Sequence, residues 1–156
     1  MFVPSMCHAQ AKCPWIDVGT ARGVLGGAVT AKVNIKDASY RACEFSRQDG
    51  EVRRQLSVLV IVMTDIPKQF STYVTQCESK ATPLRTIGDE AIVCSIQTHT
   101  NLYAEKVVGR VRDQAFIVNV ASSVQDDPSM TQETRRKKAQ LAAEQVAAVL
   151  LGRQEK

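Results

Sequence analysis

The sequence predicts an α+β domain, an antiparallel β-sheet with helices packed against it. Three observations carry that reading. Residues 83–121 hold extended segments in succession with short polar joins, the pattern of an antiparallel meander. Upstream, residues 55–63 are apolar in both phases, Leu56, Val58, Val60 and Val62 in one and Leu59, Ile61 and Met63 in the other, as befits a strand covered on both sides in the middle of a sheet. Segments with helical apolar spacing lie before, between and after the extended runs, so the order is helix, strands, helix, strands, helix.

Taken in order, Asp17 is a suitable N-cap for a short helix. Val18, Ala21, Val24 and Leu25 recur at helical spacing, and Gly26-Gly27 stops it. That glycine pair closes a helix and is followed by no Lys-Ser or Lys-Thr, which argues against a phosphate loop. Residues 29–35 and 40–47 read as strands, with Cys43 and Phe45 sharing a face, and Asp49-Gly50 marks a hairpin turn into the 55–63 strand. Asp65 caps a second helix with Pro67 in its first turn, and Phe70, Tyr73, Val74 and Cys77 form its apolar stripe.

The meander then opens. Ile92, Cys94 and Ile96 share the inward face of its first strand. The second, 102–112, mixes valines with charges, as in a strand with one exposed face or one broken at Gly109; the third, 116–121, has Phe116, Val118 and Val120 on one side. Ser129, with Gln132 three residues on, fits a capping box for a last helix running to Leu151, whose apolar stripe is rich in alanine.

At 156 residues the chain is read as one domain over 12–152, with a frayed tail at 153–156. An apolar fraction of 44% and a charged fraction of 23% are those of an ordinary globular domain, and no apolar run has the length of a membrane span. The net charge of +4 is mild, and with one Trp, three Tyr and four Phe there is no basic–aromatic interleaving of the kind that reads nucleic acid. The run Arg135-Arg136-Lys137-Lys138 has two readings, a solvated helix face or a docking patch for an anionic lipid or partner, and at most a peripheral membrane contact follows from it.

Five cysteines are present, Cys7, Cys13, Cys43, Cys77 and Cys94. Ala9-Gln10-Ala11 has the form of a signal-peptidase site, and residues 1–11 read as the tail of a signal peptide. Cleavage there removes Cys7 and leaves an even set, which suits two disulfides and an extracytoplasmic, periplasmic or secreted location. The competing reading is a cytosolic chain of ordinary thiols. Of the three pairings four cysteines allow, Cys13 with Cys43 and Cys77 with Cys94 is the expected one, since Cys77 and Cys94 face the core from adjacent elements; against it stands the tendency of free cysteines to be buried.

Catalytic and metal chemistry find little support. Cys7, His8 and Cys13 lack metal-ligand spacing, so neither metal nor cofactor is expected. His99, in a polar turn with Thr98 and Thr100, is the one candidate base after residue 11, and no Gly-x-Ser-x-Gly elbow accompanies it. Asp89 and Glu90 are adjacent and point to opposite faces of a strand, so Asp89 is read as shaping the turn after Gly88 through its own backbone contacts.

Cys13 before a first helix that ends in Leu25-Gly26-Gly27, Cys43 in a Cys-x-Phe setting, Ile87-Gly88-Asp89-Glu90-Ala91 ahead of the meander and the final 141–150 helix together resemble bacterial cell-envelope lipoprotein and secreted domains of unknown function with a PsbP-like (LpqN-like) fold. Phe45 stands where that family usually has Trp, and Val3-Pro4-Ser5-Met6 lacks the small residues that precede a lipidated cysteine. The resemblance implies no enzymatic activity and no catalytic residues. The expectation is a non-catalytic exported domain that binds an envelope protein or small ligand. The alternatives are a small hydrolase-like enzyme using His99, or a secreted inhibitor or assembly factor.

Overall fold

A computed structural model describes residues 12–77 and 80–152. The expected signal-peptide tail, with Cys7 and His8, and the 153–156 tail lie outside the described residues. Seven strands form one antiparallel sheet in the order β1-β2-β3-β7-β6-β5-β4, where β1 is Thr30–Asp37, β2 Tyr40–Asp49, β3 Val52–Val62, β4 Thr82–Leu84, β5 Glu90–Gln97, β6 Tyr103–Val111 and β7 Gln114–Ser122. Three helices pack on it, α1 (Val18–Leu25), α2 (Ile66–Thr75) and α3 (Gln132–Leu150). The α+β class is therefore the observed one.

The chain makes two meanders, β1–β3 and β5–β7, and the antiparallel pairing of β3 with β7 joins them into one sheet. β3 is flanked on both sides, as its two apolar phases require. β7, the last strand of the second meander, takes the central place, and β6 and β5 continue that meander through one half of the sheet.

The pleat sorts side chains onto two faces. Phe45, Leu56, Val58, Val60, Phe116, Val118, Val120, Val107 and Val93 point to the face covered by α1 and α3 and form the main core with Trp15, Ile16 and the α3 residues Ala139, Ala142, Ala143, Val146 and Ala147. Alanines on the buried side of α3 let its backbone come close to β6 and β7. The opposite face carries a smaller core, in which Phe70, Ile66, Tyr73 and Val74 of α2 meet Met63, Val108, Ala115 and Ile117.

Several boundaries differ from the expected ones, each for a local reason. β6 is continuous through Gly109 and buried on both faces, where an exposed face or a break was expected. Gly109 has no side chain because the Phe116 ring occupies that space. α3 starts at Gln132 with Thr131 as its N-cap, not at Ser129. The Ser129 N–H is already donated to Asp127 at 3.0 Å, which holds 127–129 in a turn. α2 ends at Thr75, so Cys77 follows the helix instead of riding its stripe. β4, three residues beside β5, was not foreseen.

Two disulfides staple the domain, Cys13–Cys43 with a Cα–Cα distance of 5.8 Å and Cys77–Cys94 at 5.9 Å. The first ties the segment before α1 to β2. There the Arg41 guanidinium lies 5.4 Å from the centre of the buried Trp15 ring, and Gln145 of α3 donates to the Trp15 carbonyl at 3.1 Å. The second closes the α2-to-β4 connection onto β5.

Candidate functional site

The polar chemistry of the described chain concentrates where β7 hands over to α3. Arg54 of β3 lies in phase with Leu56 and Val58 and so points into the main core's end. Its guanidinium forks onto the fully buried Asp127, Nε donating to one carboxylate oxygen at 2.8 Å and Nη2 to the other at 2.9 Å, while Nη1 reaches Asp49 at 2.9 Å. Asp127 also accepts from the Ser122 hydroxyl at 2.8 Å. A buried carboxylate with this many donors keeps its charge. The Arg54 guanidinium beside it, helped by Ser122 and the Ser129 N–H, holds the Asp127 pKa down to about 2 against the opposing effect of burial.

A second group stands beside the first. Glu105 of β6, 1% exposed, accepts from Arg136 Nε at 2.7 Å and from the Ser95 hydroxyl at 2.6 Å, and Gln132 in the first turn of α3 donates to the same hydroxyl at 2.9 Å. Arg135 is buried, and its Nη1 donates to the Met130 carbonyl at 2.8 Å. Its Nε makes no hydrogen bond. Burial pushes the Arg135 pKa down, while Glu105, Asp127 and Asp126 push it up. Over this network opens a cleft of about 520 Å³, with Ile96, Tyr103 and Pro128 as apolar wall and Glu105, Asp126 and Gln132 as polar lining.

At the other end of the strands, the Ile87-Gly88-Asp89-Glu90-Ala91 stretch builds a rivet. Gly88 has φ +65°, and an added Cβ would meet the Arg110 carbonyl oxygen at 2.5 Å. Asp89 does shape a turn, but a distant one, since its carboxylate accepts the Arg112 N–H at 2.6 Å in the β6–β7 turn, where Arg112 has φ 55°. Arg110 Nε donates to Glu90 at 2.7 Å, and Arg110 Nη1 lies 3.5 Å from Asp89.

The expected docking run does not present one surface. Arg135 is buried, Arg136 is paired with Glu105, and Lys138 donates to the Val24 carbonyl at 2.7 Å at the end of α1; Lys137 alone of the four is exposed. Burial also lowers the Lys138 pKa, aided by the Arg54 charge. His99 lies exposed in the β5–β6 turn with no hydrogen bond or ion pair among the described residues. The described residues contain no group of three or more His, Cys, Asp and Glu placed to hold a metal ion. None of their helices is long and apolar enough to cross a membrane, which leaves β-barrel insertion unaddressed.

Sequence reasoning missed Arg54, Asp127, Glu105 and Ser95. A signal was present for two of them: Arg54 falls in phase with Leu56, Val58 and Val60, and Glu105 in phase with Val107 and Val111, so each charge sits on an apolar strand face. By geometry, then, the protein is a seven-stranded antiparallel sheet, covered on one face by α1 and α3 and on part of the other by α2, with a buried charge network beneath an open cleft. The chain matches no family model, no curated protein and no solved structure.

Proposed function

We propose that this chain is a non-catalytic extracytoplasmic domain, of the envelope type its motifs resemble, that binds a small polar ligand or an extended peptide segment in the cleft beside the start of α3. The observation that carries the reading is the cleft itself. Two ion pairs, Glu105 with Arg136 and Asp127 with Arg54, brace its floor, so that part of the cleft is held in place before any ligand arrives. Tyr103 and Ile96 supply apolar contact, and Gln132 and the exposed Asp126 supply polar groups at the rim, the mixture that binding clefts use. Two disulfides fit an oxidising environment outside the cytoplasm.

The test is a nitrogen-15 amide titration of the oxidised protein against a panel of small polar molecules and short peptides. Binders are expected to move the amides of Ser95, Tyr103, Asp126 and Gln132 together, and Tyr103→Ala is expected to weaken binding about 10-fold or more, the loss of one aromatic anchor. Shifts confined to the 98–101 turn, with turnover of the compound, would replace this reading by an enzymatic one centred on His99.

A further inference from the structure

The two ends of the sheet are finished differently. β4 ends one side with three residues, while β1 ends the other with eight. Among the described residues no strand pairs with the outer side of β1, and every β1 residue except Val33 is exposed. The outer row of N–H and C=O groups on such a strand is a template for another strand. Ala31, Val33 and Ile35 lie on the α1/α3 face, opposite Phe45, Cys43 and Arg41 of β2; Thr30, Lys32 and Asn34 lie on the other face, and Lys36 sits at a register shift between Ile35 and Asp37. Ile35 is 45% exposed. α1 packs chiefly on β2 and β3, and leaves all of β1 but Val33 exposed.

We infer that β1 pairs antiparallel with β1 of a second copy, about a two-fold axis at Val33, so that two seven-stranded sheets become one. The charge pattern of the strand selects this occupant and this register. With Val33 opposite Val33 of the second copy, Ala31 faces Ile35, and the apolar stripe runs unbroken across the junction. Lys32 faces Asn34, and the Lys36 bulge falls beside Thr30, so no lysine opposes a lysine. Centring the axis on Lys32 sets Lys32 against itself, and centring it on Asn34 brings Lys32 of each copy beside the Lys36 bulge of the other; opposed like charges destabilise a strand pair. Axes between residues turn the apolar stripe of one copy onto the lysine face of the other. Lysines on an edge strand ordinarily discourage pairing. Here they disfavour the adjacent registers, and axes at Ala31 or Ile35 pair less of β1 than the axis at Val33 does. Val33 sits opposite Cys43, which the disulfide to Cys13 anchors, so the strand at the axis is held against a stapled neighbour.

Sedimentation equilibrium of the oxidised protein at low ionic strength, from micromolar to millimolar concentration, tests the pairing. The wild type is expected to show a concentration-dependent monomer–dimer equilibrium. Asn34→Glu places a carboxylate opposite Lys32 of the other copy, twice per dimer, and is expected to tighten the dimer about 2- to 30-fold; Asn34→Lys is expected to loosen it by a similar factor. Asn34 is exposed, so at a concentration where every form is monomeric thermal unfolding of both variants is expected to match the wild type. A wild type that stays monomeric throughout overturns the inference. A dimer indifferent to both substitutions uses another surface and also overturns it. A dimer weakened by Asn34→Glu overturns the register, because Asn34 would then face its own copy.

Discussion

The two ends of the strands carry the same kinds of charged group in different solvent. At the α3 end, the Arg54 side chain is 6% exposed and that of Asp127 is fully buried; at the β6–β7 turn, Arg110 is 23% exposed and its partners Asp89 and Glu90 are 43% and 53% exposed. Distances are alike, 2.8 Å for the Arg54–Asp127 contact and 2.7 Å for Arg110–Glu90. Geometry alone does not rank them. A buried pair loses its solvent once and then depends on its partners, whereas an exposed pair keeps water as an alternative partner and is screened by salt. The first cluster fixes where α3 begins and so shapes the cleft; the second only clips one turn to the next strand.

The largest expected effect comes from breaking the buried cluster. Asp127→Ala strands the Arg54 fork and removes the acceptor of the Ser122 hydroxyl and the Ser129 N–H, so a loss of about 3–5 kcal/mol in unfolding free energy is expected. Urea unfolding monitored by circular dichroism would register it as a lower midpoint at unchanged slope. Acid should act on the same group more gently. Because the folded pKa of Asp127 is depressed to about 2, its contribution is complete above the ordinary carboxylate pKa near 4 and is lost as pH falls through about 2. That loss is about 2 kcal/mol, and Asp127→Ala should lack this part of the acid limb. An acid limb identical in the variant would assign it to other carboxylates.

Much of the scaffold was legible because burial writes itself into sequence period. Leu56, Val58 and Val60 had one face available and Leu59, Ile61 and Met63 the other, so β3 could be placed inside the sheet without its neighbours being known. The cleft was not legible, because its residues converge only through the fold: Arg54 and Asp127 are 73 residues apart, and Arg136 and Glu105 are 31 apart. The basic run is spread over different surroundings for a reason visible in the helix itself. Successive residues turn by about 100°, so four in a row point in four directions, and here they reach the loop carbonyls, Glu105, solvent and the end of α1. The helix start moved because Ser129 looked like a cap in isolation, while Asp127, anchored on Arg54, had already taken its N–H.

The smallest effects belong to the exposed cluster, and they separate its two carboxylates. Asp89 accepts a backbone N–H from Arg112, whose positive φ of 55° needs a reason to persist, whereas Glu90 holds only the Arg110 side chain, which also donates to the Arg112 carbonyl at 2.8 Å. Asp89→Ala is therefore expected to cost about 1 kcal/mol, the worth of a hydrogen bond to a charged acceptor at a half-exposed site. Glu90→Ala should cost less than about 0.5 kcal/mol and lose even that in high salt. Both are read from the same urea curves as Asp127→Ala. If Asp89→Ala proved as damaging as Asp127→Ala, the turn it clips would be as deep a part of the fold as the buried fork, and exposure would no longer explain why two arginine–carboxylate clusters differ. If Asp89→Ala and Glu90→Ala were equally mild, the Arg112 N–H would be satisfied by water as well as by Asp89, and the rivet would reduce to an ordinary surface ion pair.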